Sequence, residues 1–180
     1  MVNKDFDVLR NWMFGNLASL LDAKSPNPNL KILKMSIGEP QLGPPKFIRE
    51  KFDNFFEDWG RYPPSEAIPK LKNSIKTYLN KRFPGSTKLI DFNKNILPVP
   101  GTREALHLMG LISKNKNKKN PLAILTNPFY HAWKAGAIQS NSKILWLNAK
   151  QDTNYKPNIE SLTPETLKST TIMYLCFPSN

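Results

Sequence analysis

Gly101, Thr102 and Arg103 stand where a binding site for an anion would be built. Ile96 to Val99 reads as a short buried strand, Pro100-Gly101 breaks it, and Leu106, Met109 and Ile112 follow at helical spacing. A strand that turns at once into a helix presents that helix's first unpaired N–H groups at the edge of the sheet. Those donors and the positive end of the helix dipole attract negative charge. Gly101 lets the backbone approach a ligand, Thr102 can cap the helix or bond a phosphate oxygen, and Arg103 adds a fixed positive charge. Read alone, the stretch is also an ordinary helix start with no ligand.

Other side chains fall into the same kind of place. Tyr130 follows the apolar run Leu122 to Thr126 through the turn Asn127-Pro128-Phe129, where a phenol ring can stack on a flat heterocycle or join the core. Gly38-Glu39-Pro40-Gln41-Leu42-Gly43-Pro44-Pro45 is a rigid irregular loop, able to aim backbone donors or simply to connect. Arg61 and Tyr62 precede Pro63-Pro64, which fixes the loop that presents them; packing would explain Trp59 and Tyr62 as well. His107 and His131 lack a metal-ligand partner at helical spacing and read as structural, and Cys176 reads as a small apolar residue in a core strand. There is no Ser/His/Asp constellation, no GxxxxGK[ST] loop and no GxGxxG fingerprint.

The elements that must position these residues follow from periodicity. Helices are expected over 5–23, from Pro45 to Trp59, and from Pro69 to Phe83, where Pro84-Gly85 ends the pattern. Ile32 to Ile37 looks like a short strand. From Ile96 onward, strands at Ile96–Val99, Leu122–Thr126, Ile144–Leu147 and Thr171–Phe177 alternate with helices at Thr102–Ser113, Phe129–Gln139 and Ile159–Lys168. Short, unalternating apolar strands belong to a mainly parallel sheet flanked by helices, an α/β architecture. Ligands gather at the carboxyl ends of such strands, where Gly101-Thr102-Arg103, Asn127 to Tyr130 and Pro178-Ser179-Asn180 fall.

The bulk composition is that of a globular protein, with 39% hydrophobic residues in 180. No apolar run reaches the length of a membrane span, no signal-peptide pattern opens the chain, and a single cysteine rules out an internal disulfide framework. A cytoplasmic setting is expected. The net charge of +12 raises nucleic acid as a partner, but the densest run, Lys114 to Lys119, reads as a solvated loop after a helix, with no RNA-binding motif beside it. A non-catalytic basic binding module is the alternative that this charge leaves.

Five stretches in order resemble the fold-type I aminotransferases, which use pyridoxal 5′-phosphate. They are Ser36-Ile37-Gly38-Glu39-Pro40, Trp59 to Pro64 with the helix from Pro69, Pro100 to Leu106, Asn127 to Tyr130, and Tyr174 to Asn180. Gly60-Arg61-Tyr62-Pro63-Pro64 and Gly101 to Leu106 look most like the succinyldiaminopimelate group of that family. The resemblance implies a helical arm over 1–30, the start of a small domain over 31–95, and the first part of the large cofactor-binding domain over 96–180. It further implies that Gly101, Thr102 and Arg103 cradle the cofactor phosphate, Tyr130 stacks on its pyridine ring, and Asn180 bonds its phenolic oxygen. Tyr62 would reach the phosphate of the partner subunit in a homodimer, and Gly38 would lie near the substrate carboxylate. The reaction would move an amino group from an amino acid, glutamate by preference, to a 2-oxo acid such as N-succinyl-2-amino-6-oxopimelate of the lysine pathway. A lyase or decarboxylase of the same fold is the other reading. No Lys matches the Schiff-base position, so the fold is expected to be incomplete and the 180-residue chain inactive alone.

Overall fold

A continuous apolar run, Leu122-Ala123-Ile124-Leu125, dictates the centre of the fold. The computed structural model describes residues 7, 13–33, 35, 37–62 and 68–179. In it the run is strand β1 (Leu122–Asn127), with Ala123, Ile124 and Leu125 all 0% exposed. Strand β2 (Lys143–Asn148) lies along one side of β1 and β3 (Thr170–Tyr174) along the other, both parallel to it. Leu125 faces Trp146 on one neighbour and Tyr174 on the other, so the central strand is paired along both edges. The helices among the described residues are α1 (Met13–Asp22), α2 (Lys46–Asn54), α3 (Pro69–Arg82), α4 (Thr102–Ile112), α5 (His131–Gln139) and α6 (Pro164–Ser169). The result is an α/β fold with a parallel sheet flanked by helices.

The chain forms two compact units. One comprises Met1–Asp22 with Val99–Asn180, the other Ala23–Pro98. In the first, β1 and β2 are joined through α5, and the return to β3 runs through short 3-10 turns and α6. Its core is Ala123, Leu125, Trp133, Ala137 and Tyr174, with Leu106, Tyr130, Ile144, Ile172 and Cys176 packed against it. Trp133 and Tyr174 stack with ring centroids 5.5 Å apart and planes 12° apart.

In the second unit Pro69 occupies the first turn of α3, where its missing N–H costs nothing. Gly85 follows the helix at φ 89°, a left-handed conformation that a residue with a Cβ resists. Lys72 Nζ donates to Asn93 O at 3.4 Å, and Lys76 sits 5.7 Å from the Phe92 ring centroid. The apolar residues of α2 stay largely open, with Phe47 and Phe52 both exposed.

Four expectations change. Residues 96–99 form no strand: Pro98 and Pro100 remove backbone donors at alternate positions, so no ladder can start. Residues 32–37 form none among those described; Lys34 and Ser36 lie outside the described residues. The helix expected from Pro45 to Trp59 ends at Asn54 and gives way to a 3-10 turn, Phe56–Gly60, with Pro45 at the cap. The helix expected over 159–168 is split. Pro164 disfavours helical geometry at Thr163, which instead caps α6 by accepting the Thr166 N–H at 3.2 Å. Two lesser shifts concern ends. The first helix is described from Met13, since most residues before it lie outside the described set, and β3 stops at Tyr174 rather than Phe177. Cys176 therefore lies just past the strand, its thiol donating to Pro178 O at 3.0 Å.

Candidate functional site

The position of the Gly101 turn is set by how α4 lies on α5. The helices cross at Gly110 and Gly136, where a Cβ on Gly110 would stand 2.2 Å from the Gly136 carbonyl oxygen. A Cβ on Gly136 would stand 2.6 Å from the Tyr174 hydroxyl. That hydroxyl donates to Leu106 O at 2.8 Å, tying the middle of α4 to the end of β3. Burial pushes the Tyr174 phenol pKa up, which keeps it protonated as a donor. Close glycine packing and one partly buried hydrogen bond thus fix the direction of α4 and the place of its N-terminus.

At that N-terminus Gly101 is the cap residue, and among the described residues no side-chain cap hydrogen bond is made. Thr102 is the first helical residue, so its hydroxyl does not cap. Gly101 has φ 171°, extended backbone open to any residue, and a Cβ there would meet nothing within 4 Å. Neither conformation nor a protein neighbour requires glycine here. A Cβ there would enter open space.

Tyr130 reaches the same place from β1. It caps α5 in extended backbone, φ −89° and ψ 125°. Its ring lies 4.6 Å from the His131 ring and edge-on to Trp133 at 6.4 Å. Arg103 Nε donates to Tyr130 Oη at 2.9 Å. Arg103 also acts on His131: burial first, and the guanidinium charge second, hold the imidazole pKa below its usual 6.5. Beside them Asn127 Nδ2 donates to Asn148 Oδ1 at 2.9 Å, tying the carboxyl ends of β1 and β2 together.

The structure therefore brings Gly101, Thr102, Arg103 and Tyr130 together at one end of one unit. Gly38 and Tyr62 belong to the other unit, where Tyr62 is fully exposed. Asn180, Pro63 and Pro64 lie outside the described residues. Among the described residues no group of three or more His, Cys, Asp or Glu could hold a metal, and no helix is long and apolar enough to cross a membrane. Sequence reasoning missed the Gly110–Gly136 crossing and the Tyr174 tether. Their signal was present, as a glycine near the end of one helix and an Ala132-x-x-x-Gly136-Ala137 stripe on the next.

First-turn amides without a side-chain cap, an open Cβ position at Gly101 and a tyrosine ring tied to Arg103 are groups that a phosphorylated heterocycle could use. The comparisons with known proteins give the family. The family profile "Aminotransferase class I and II" matches residues 31–180. The LL-diaminopimelate aminotransferase of Natranaerobius thermophilus is 26% identical over 172 residues, 94% of this chain and 42% of that protein. An aspartate aminotransferase of Pyrococcus horikoshii is 23% identical over 151 residues, 83% of this chain and 37% of that one. Among solved structures, an aminotransferase from Neisseria meningitidis superposes with TM-score 0.86 at 25% identity, over 97% of this chain and 44% of that one. Substrate-bound BacF from Bacillus superposes with TM-score 0.78 at 18% identity, over 100% and 44%. The chain spans less than half the length of these relatives. It belongs to the class I and II aminotransferases, a family whose cofactor is pyridoxal 5′-phosphate.

Proposed function

We propose that this chain supplies the phosphate and ring-binding side of a pyridoxal 5′-phosphate site in an amino-group transferase. The observation that carries the reading is the Arg103–Tyr130 hydrogen bond, which puts the α4 N-terminus and the aromatic ring within reach of one small molecule. Gly101, Thr102 and Arg103 would hold the phosphate through backbone donors, hydroxyl and charge. Tyr130 would cover the ring and shield it from water. Asn180 would bond the phenolic oxygen, Tyr62 would serve the partner subunit's phosphate in a homodimer, and Gly38 would lie by the substrate carboxylate. When bound, the cofactor supplies the electron sink for carbanion chemistry; the protein supplies grip and orientation.

The finer reading is diaminopimelate chemistry. Several relatives carry the name LL-diaminopimelate aminotransferase. Gly60-Arg61-Tyr62-Pro63-Pro64 and Gly101 to Leu106 look most like the succinyldiaminopimelate group, which would take N-succinyl-2-amino-6-oxopimelate as acceptor and glutamate as donor. An assay with glutamate and that oxo acid, against diaminopimelate with 2-oxoglutarate, separates the two.

The site itself is tested by titrating the chain with pyridoxal 5′-phosphate, pyridoxal and inorganic phosphate, followed by tryptophan emission. Pyridoxal 5′-phosphate is expected to bind most tightly. Gly101→Val is expected to weaken it about ten-fold, a loss of about 1.4 kcal/mol. Since its Cβ meets no protein atom, the melting temperature should hardly move. Equal affinity for all three probes, or a Gly101→Val change that costs stability rather than affinity, would overturn the assignment.

A further inference from the structure

Arg103 is usually the kind of residue one would spend on a phosphate, yet here its Nε–H is committed to a phenol oxygen. The hydrogen bond is exposed to solvent, and an exposed pair of this kind adds little to folding stability. Tyr130 does not need it for packing either: its ring already lies against His131 and Trp133 and against the core around Leu125 and Tyr174. What packing leaves undetermined is the fine angle of a ring anchored at the end of β1 relative to donors at the start of α4. Those two elements come from positions 27 residues apart in the chain, and Arg103 spans them directly. A guanidinium is planar and rigid, so fixing Nε fixes the plane in which its Nη groups lie. Those Nη groups have no hydrogen-bond partner among the described residues.

We propose that Arg103 is a positioning residue: it locks the Tyr130 ring to the α4 N-terminus so that the ring-covering and phosphate-holding halves of the pocket act as one unit. This rests on the cofactor reading above and goes beyond it, because it makes the two halves energetically dependent on each other. A ring that is held before the ligand arrives loses less freedom on binding, so the stacking contact gains from the bond even though the bond never touches the heterocycle. The phosphate, in turn, meets a guanidinium whose orientation the phenol sets.

The test is a double-mutant cycle on the 180-residue chain with two probes, pyridoxal 5′-phosphate and inorganic phosphate. Tyr130→Phe keeps the ring and removes the oxygen that Arg103 holds. Arg103→Gln removes the clamp and the charge, and Arg103→Lys retains a charged donor. Tyr130→Phe should weaken pyridoxal 5′-phosphate binding about three- to ten-fold. It should weaken inorganic phosphate too, but by less, about two- to three-fold, because the guanidinium loses the phenol that orients it. Added to Arg103→Gln, it should have no further effect on either probe. Arg103→Lys should recover part of the pyridoxal 5′-phosphate affinity. The NMR signal of the Tyr130 ring carbon bearing oxygen should move in Arg103→Gln without ligand, and move back toward the wild-type position in Arg103→Lys.

Independent effects of Tyr130→Phe and Arg103→Gln that simply multiply would overturn the positioning role while leaving the site intact. So would a Tyr130 signal indifferent to residue 103. A wild-type chain that takes up neither probe would overturn the cofactor reading and this role together, an outcome recognisable before any variant is made. Melting temperatures within a degree or two of wild type in all variants would separate these effects from a loss of fold.

Discussion

Arg103 makes His131 a reporter of the site. Two causes hold the imidazole below its usual 6.5, burial first and the guanidinium second. Both favour the neutral form in the folded state. The sign for stability follows: the contribution is fully present above pH 6.5 and is lost as pH falls from there toward the depressed folded value. Arg103→Gln removes the lesser cause only, so the His131 titration midpoint, read by NMR, should rise part of the way toward 6.5. Arg103→Lys should leave it low. A midpoint that ignores both changes would mean that burial alone sets it. Residues of this kind divide cleanly by what a sequence can carry. The helix start at Thr102 and the tyrosine after the β1 turn are legible because each is a local pattern, although the strand expected before Gly101 does not form. Arg103 reaching Tyr130 is not, because it depends on how two distant segments are packed.

The packing of α4 on α5 has a sharper test. At Gly110 the neighbour is the backbone of Gly136, which cannot move aside as a flexible side chain would. Gly110→Ala should therefore destabilise the unit by roughly 3 kcal/mol, read as a lowered denaturation midpoint, despite the better helix propensity of alanine. A neutral or stabilising change would mean that the helices are farther apart. Because α4 carries the Gly101 turn, any surviving folded fraction should also bind pyridoxal 5′-phosphate less well. Periodicity revealed α4, α5 and the three strands, since each has a long enough apolar pattern to fix its type. It failed where proline rather than hydrophobicity decides. Pro98 and Pro100 spoil an apolar strand, and Pro164 stops a helix whose apolar spacing continues through Leu167. It also gave no hint of which helices touch, because Gly110 and Gly136 look like weak points in helices until each is seen to be the space the other needs.

For the molecule as a whole, the net charge of +12 competes with the site as an account of anion binding. The densest run, Lys114 to Lys119, is not purely a solvated loop: Lys118 Nζ donates to Lys168 O at 2.7 Å and to Thr170 O, bracing the link from α6 to β3. That commits one cation of the run to structure. Diffuse charge and a built site respond differently to salt. Contact with six or more DNA phosphates releases as many counterions, and affinity should fall about a thousand-fold between about 50 and about 200 mM salt. A single phosphate held by oriented amides and one guanidinium, with its ring covered by Tyr130, depends far less on counterions. Its affinity should fall less than about ten-fold over the same range. Measuring duplex DNA and pyridoxal 5′-phosphate side by side on this chain therefore distinguishes the two accounts without any variant. Parallel losses for both ligands would assign the binding to overall charge. Retention of pyridoxal 5′-phosphate under salt that strips DNA would assign it to the α4 N-terminus, where a dipole and fixed donors act at a range too short for the ions in solution to screen.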